Sequence, residues 1–304
     1  MFRVINCIVN EHDYRLVLLA VLICAATSFT TFHAYSYATR EQGARRLAWV
    51  FLTAASTGAG IWATHFVAML AYNPGHPTDY DEVLTVASLL VAVIVAMAGF
   101  MLASRGGTPM AAAGGAVVGA GIALMHFTGM KALAVPGRIE WDMDLVVASI
   151  AIGIGLGSAA LLAWHALEHL RRLWAAAGLL VAAICGLHFT AMGAATIVPD
   201  PTVVVRDSTL VSSTLAIAVT AVTVVALLAV LATTLIVSQA ERASLLHNQE
   251  LVDAALEGLV VAKGGTIVNV NQRLLGLTGW ARDQLLGKRV VGDLLTGAIE
   301  TAAP

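Results

Sequence analysis

Long apolar runs separated by short charged stretches dominate this chain. Seven runs reach the length that crosses a bilayer, about 20 residues: 15–38, 47–71, 83–103, 110–134, 144–165, 173–198 and 209–237. Hydrocarbon offers backbone N–H and C=O groups no water, so each run is expected to be helical. Glycines recur inside them, at Gly58 and Gly60, Gly114 and Gly115, Gly119 and Gly121, then Gly153, Gly155 and Gly157. Small residues let helix backbones approach closely, which predicts a tightly packed bundle. The N-terminus lacks a basic region followed by a short apolar run and a small-residue cleavage site. The first run is therefore expected to be a retained span, not a removed signal peptide.

After Val237 the pattern changes. Ser238 to Asn248 is polar and is expected to continue the last helix as a linker over 238–250. From 251 to 304 the text looks soluble, and a Lys263-Gly264-Gly265 turn between two β-rich runs predicts a hairpin. So short a segment is marginal as an independent core. The expected organisation is a seven-span domain over 1–237, the linker, and this last segment.

Composition agrees. Hydrophobic residues make up 59% of the 304 residues and charged residues 12%, with a mean hydropathy of +0.83. A soluble domain carries about 25% charge. A net charge of -2 without a basic stripe speaks against a nucleic-acid partner. Cys7, Cys24 and Cys185 lie far apart, so no disulfide framework or paired-cysteine zinc site is suggested. One set of loops collects Arg40, Arg45, Arg46, Arg105, Arg171 and Arg172. The other collects Asp79, Asp81, Glu82, Glu140, Asp142, Asp144 and Asp207, with only Lys131, Arg138 and Arg206 among the basic residues of its later loops. By the positive-inside rule the arginine side is cytoplasmic, the N-terminus periplasmic and the C-terminus cytoplasmic, in a bacterial inner membrane.

A motif recurs inside the runs. The chain reads Ala63-Thr64-His65-Phe66-Val67-Ala68-Met69, then Leu124-Met125-His126-Phe127-Thr128-Gly129-Met130, then Gly186-Leu187-His188-Phe189-Thr190-Ala191-Met192. Near-constant spacing of the histidines marks an internal repeat. Spans one and two, three and four, and five and six then form three helix pairs, each with its motif on the second helix. The seventh span carries no copy and closes the bundle. Each motif helix runs toward a proline (Pro74, Pro136, Pro199), so the three histidines are expected at similar depth, roughly 10 Å inside their helix ends. The expected fold is an all-α membrane protein with seven transmembrane helices, followed by a truncated α/β segment.

On a helix, residues i and i+4 share a face. His65 with Met69, His126 with Met130, and His188 with Met192 therefore present an imidazole and a thioether together. Imidazole suits copper, zinc, iron or nickel, and thioether is soft and selects Cu(I). No carboxylate or cysteine accompanies the copies, which weakens magnesium, calcium, manganese and structural zinc. Copper fits best; heme between two histidines, or between His and Met, comes next. A proton-sensing histidine cluster is a further reading.

A single such histidine is usually satisfied by a neighbouring carbonyl or hydroxyl, and Thr64, Thr128 and Thr190 are at hand. Three copies at one depth weigh against that, because ionisable residues within membranes are costly. Phe66, Phe127 and Phe189 read as packing residues that also keep a site dry. His33, His165 and His169 read as interfacial or packing residues, and His12 and His76 as solvated loop residues on the motif side, positioned to help deliver a metal. Glu168-His169 lacks the spacing of a zinc-hydrolase motif. Met97, Met101 and Met110 lie nearer the arginine side, where a copper transporter or channel would continue its path. No nucleophile, base and orienting partner occur together, so no enzyme is expected in these residues.

The thrice-repeated motif and the seven-span layout resemble the MHYT domain, a bacterial integral-membrane sensor whose name records a Met-His-Tyr-Thr signature. Met125-His126-Phe127-Thr128 is the nearest copy; Leu187 replaces Met in the third, Thr64 and Val67 depart in the first, and Phe replaces Tyr in all three. The resemblance implies copper held by His65, Met69, His126, Met130, His188 and Met192, and sensing of oxygen, carbon monoxide or nitric oxide, or of copper itself. Residues 251–297 resemble the start of a PAS domain, through Ala255-Leu256-Glu257-Gly258, Asn269 and Asn271, and Leu277-Thr278-Gly279-Trp280. Relatives of this kind continue into diguanylate cyclase or cyclic-di-GMP phosphodiesterase domains and resemble homodimers joined through signalling helices. Neither output motif occurs here, which implies an output domain beyond these residues.

Overall fold

Aspartates decide where the first helix of each pair begins. Asp13, Asp81 and Asp142 are the N-caps of α2 (Tyr14–Ala38), α4 (Glu82–Ala103) and α6 (Met143–Ala166). Their side chains accept hydrogen bonds from Arg15 N (2.8 Å), Leu84 N (2.9 Å) and Leu145 N (3.4 Å), satisfying donors that a helix start leaves open. Part of the acidity of that side is therefore capping chemistry.

The computed structural model describes residues 2–73, 75, 78–200, 209–253 and 257–290. Pro74, His76, Arg206, Asp207, Ala255, Leu256 and residues 291–304 lie outside the described residues. Two compact units divide the chain, Met1–Ala232 and Thr233–Pro304.

The first unit contains the helix pairs. The second helices are α3 (Gly43–Ala71), α5 (Thr108–Ala132) and α7 (His169–Ala194). The closing helix α8 starts at Ser212 and runs to Asp253, so the polar linker is helical as expected. Seven helices are long and apolar enough to cross a membrane. The apolar windows of α3, α5 and α7 are 72%, 56% and 50% buried, against 33%, 33%, 28% and 22% for α2, α4, α6 and α8. The three motif helices are thus the inner set, and the others turn much of their apolar surface outward toward lipid.

Small residues permit the close crossings. A Cβ on Gly119 would meet the Gly153 backbone, and one on Gly157 would meet the Gly115 carbonyl, so α5 and α6 touch main chain to main chain. Between α2 and α3 the hydroxyls of Thr31 and Thr57 lie 3.0 Å apart, and those of Thr30 and Ser56 3.2 Å apart.

The motif end of the bundle carries short strands that the apolar pattern does not announce. β1 (Asp79–Asp81) pairs antiparallel with β2 (Leu133–Ala134) and β5 (Thr209–Leu210), and β3 (Gly137–Trp141) pairs with β4 (Ala195–Pro199). An additional helix, α1 (Phe2–Asn10), packs on α7, with Val4 against Gly193. The motif helices stop at Ala71, Ala132 and Ala194, short of the expected prolines. The stop is a backbone event: the C-cap N–H of Tyr72, Leu133 and Ala195 bonds back to the carbonyl of Met69, Met130 and Met192, and the cap residue turns extended. Residues 195–198, expected in the sixth span, are strand.

The second unit has its own hairpin, β6 (Val260–Lys263) with β7 (Thr266–Val270), followed by α9 (Gln272–Thr278) and α10 (Arg282–Leu285). Ile267, Val270 and Leu285 form its small core, with Leu274, Trp280 and Val290 packed against them. Asn271 caps α9: its Oδ1 accepts from Leu274 N and Leu259 N, and its Nδ2 donates to the Glu257 carbonyl.

Candidate metal centre

Each motif histidine sits six residues before the end of its helix, at Ala71, Ala132 or Ala194. At 1.5 Å per residue that is about 9 Å of rise in all three cases. Common depth on three inner helices brings the imidazoles together. His65 Nδ1 lies 3.3 Å from His188 Nδ1 and 3.2 Å from His126 Nδ1. The ring centroids are 4.9, 5.3 and 5.1 Å apart, and every pair of rings stands nearly perpendicular. All three residues are buried, and none of their Nε2 atoms has a hydrogen-bond partner. The threonine hydroxyls do not explain the cluster: Thr128 donates to the Leu124 carbonyl at 2.7 Å, while the imidazoles meet one another.

The remaining motif positions build the surroundings. A Cβ on Gly129 would collide with the His65 imidazole, so the small residue three positions after His126 makes room for the neighbouring ring. Ala68 and Ala191 hold the same place in the other copies, and both are buried. This small position is part of the repeat, though the His and Met drew attention first. Met69, Met130 and Met192 are buried one turn nearer the helix ends. Met192 also borders an open cavity of about 650 Å³ lined by α1. Met101, by contrast, is 44% exposed on the bundle surface.

The phenylalanines act as edges and lids. Phe66, Phe127 and Phe189 each stand edge-on to their own histidine, at 4.8, 5.1 and 5.1 Å. A second ring covers each phenylalanine from above: Tyr80 at 5.7 Å, Trp141 at 5.4 Å and His12 at 5.7 Å. These three rings are equivalent. Each immediately precedes an N-cap aspartate, giving His12-Asp13, Tyr80-Asp81 and Trp141-Asp142. Each also pairs antiparallel with a motif-helix C-cap, as His12 with Tyr72, Tyr80 with Leu133 and Trp141 with Ala195. The repeat therefore includes a lid position, hidden in the sequence because its residue type differs in every copy.

His12 is consequently buried, at 7% exposure, and is not a solvated loop residue. Its Nδ1 lies 2.8 Å from the Cys7 carbonyl. Burial holds His12 below the ordinary imidazole range, although the Cys7 carbonyl and Glu11 pull the other way. Burial, with help from Glu11, pushes the Cys7 thiol up to about 12. Cys24 and Cys185, distant in sequence, bring their free thiols together across α2 and α7, with Cys185 one turn from His188. At the other end His33 stacks on Phe29, and His165 borders a small cavity with Arg46 and Arg172.

Comparison with known proteins agrees with this architecture. The family described as a bacterial signalling protein N terminal repeat, MHYT, matches residues 58–116 and 119–178, which hold the first two motif copies. An uncharacterized signaling protein of Caulobacter vibrioides is 38% identical over 297 residues, covering 97% of this chain and 37% of its own length. Two Pseudomonas aeruginosa proteins are each 34% identical across 62% of this chain: the bifunctional diguanylate cyclase/cyclic di-GMP phosphodiesterase MucR, of which 28% is covered, and the cyclic di-GMP phosphodiesterase NbdA, of which 25% is covered. The chain thus spans well under half the length of these curated relatives. No solved structure matches the chain. The chain thus carries MHYT repeats of the kind described for bacterial signalling proteins, on a bundle with seven helices long and apolar enough to cross a membrane.

Proposed function

We propose that the seven-helix unit is a sensor that holds copper at His65, His126 and His188 and passes its state to a cytoplasmic cyclic-di-GMP output domain. The observation that carries this reading is the trio of buried imidazoles, in which His65 Nδ1 lies within 3.3 Å of the Nδ1 of both others. Three nitrogens at about 2.0–2.1 Å from one ion lie about 3.3–3.6 Å apart. The separations of 3.2 and 3.3 Å fall close to that range. The described acid, cysteine and histidine groups that cluster here are the three histidines alone, all neutral donors. A monovalent soft ion is then favoured over a divalent one, because the cost of burying charge rises steeply with its size. Met69, Met130 and Met192 supply thioethers of matching softness on the same helices. Copper held by these residues would supply a coordination site for a diatomic ligand such as oxygen, carbon monoxide or nitric oxide.

The protein's own part is mechanical. The imidazoles tie α3, α5 and α7 together at one level, so a change in how they are held shifts these helices against each other. The chain continues from α7 through α8 to the second unit, which we read as the opening of a PAS domain. With the arginine-bearing loops in the cytoplasm, the metal layer faces the periplasmic side of the inner membrane and α8 leads inward. The names of MucR and NbdA support cyclic-di-GMP chemistry as the output. Elemental analysis of protein purified in mild detergent tests the site: stoichiometric copper in the wild type, lost in His126→Ala, is expected. Absence of copper from the wild type after loading with Cu(I) would sink the reading.

A further inference from the structure

Two of the three lids are inert rings, and the third is an imidazole. Tyr80 is fully buried and spends its hydroxyl on the Met69 carbonyl at 3.3 Å. Trp141 carries no free lone pair, since an indole nitrogen only donates. His12 differs. A carbonyl oxygen only accepts, so the 2.8 Å contact with Cys7 O places the His12 proton on Nδ1. That leaves Nε2 with its lone pair, on the far side of the ring, buried and without a partner. A metal-binding histidine is prepared in the same way: one nitrogen donates to a carbonyl, which fixes the tautomer and the ring, and the other faces the ion.

Its position is equally specific. Phe189 stands 5.7 Å from His12 and 5.1 Å from His188, in ring contact with both. Cys7 and Met192 lie in the wall of the cavity lined by α1.

We propose that His12 is the entry ligand of this domain: Nε2 receives incoming Cu(I) and hands it to the His65–His126–His188 layer by ligand exchange. The proposal rests on the copper reading above. The ion keeps its oxidation state throughout, and no proton need leave, because His12 and Met192 bind as neutral donors.

Two substitutions separate ligation from structure. His12→Asn keeps an N–H for the Cys7 carbonyl but offers a soft ion only a hard amide oxygen. His12→Met has no N–H but retains a soft donor. Copper-free full-chain protein in detergent would be mixed anaerobically with Cu(I)-bicinchoninate, and transfer followed by loss of the chelate colour. His12→Asn is expected to load at least about tenfold more slowly than wild type, and His12→Met within about twofold of it, with unchanged final stoichiometry in both. Slow loading by His12→Met overturns the proposal, since it assigns His12 to holding α1 in place. Wild-type loading by His12→Asn overturns it too. If either variant is not recovered folded, the other decides alone. A wild type that takes up no Cu(I) removes the copper reading itself; normal uptake with an indifferent His12 removes only the entry ligand.

Discussion

The inner helices α3, α5 and α7 and the outer helices α2, α4 and α6 are built from much the same residues and live under different rules. Outer helices present exposed side chains such as Val86, Leu90 and Ile94 to lipid and are specified mainly by being apolar. Inner helices must also fit one another, so glycine, alanine and a ring recur at fixed places. The contrast shows that hydropathy selects the membrane, while the small and aromatic positions select the arrangement within it.

Two glycines on the touching helices α5 and α6 put that contrast to its strongest test. Gly119→Val drives a branched side chain into the Gly153 backbone, whereas Gly155 has nothing within 4 Å of where its Cβ would stand. Gly119→Val is expected to lose at least about 3 kcal/mol, enough to prevent recovery of monodisperse protein, and Gly155→Val to be recovered normally. Equal yields on size-exclusion chromatography would break the distinction between inner and outer faces. The lids come next. Tyr80→Ala should cost about 3 kcal/mol in a reversible detergent-denaturation titration, and Tyr80→Phe only about 1 kcal/mol, the worth of its bond to the Met69 carbonyl. A Phe variant as unstable as the Ala variant would show that the hydroxyl, not the ring, holds the lid. The smallest effect belongs to the lipid face: Ile94, 65% exposed, should tolerate Val within about 0.5 kcal/mol in the same titration. A larger loss there would mean that this face is covered in the working protein.

Much of this was legible in the order of residues. The apolar runs place every spanning helix start and the ends of six within about four residues. The histidine spacing points to a shared layer because equal spacing on equal helices gives equal depth. The Gly264-Gly265 turn marks the hairpin correctly. What escaped has physical reasons. α1 has nine residues, too few to announce itself by length. The lid strands have two to five residues and draw their order from pairing with distant C-caps. The lid itself is invisible to a search for identical residues, since His, Tyr and Trp fill one role. The helix ends are set where the cap N–H turns back on a methionine carbonyl, and the prolines further on merely follow. Cys24 and Cys185 meet only because the first pair packs against the last.

That meeting of α2 with α7 closes the three pairs into a ring, and a closed ring has a history. His65 and His188 are separated by 123 positions, so the third imidazole leaves the ribosome about 6–25 s after the first. Until then α2 lacks its neighbour, His12 has no phenylalanine to cover, and two imidazoles wait without the third. The domain cannot be completed piecemeal: its histidine layer, its lid and its closure all wait for the arrival of one helix, so a nascent chain is unfinished until α7 is in place.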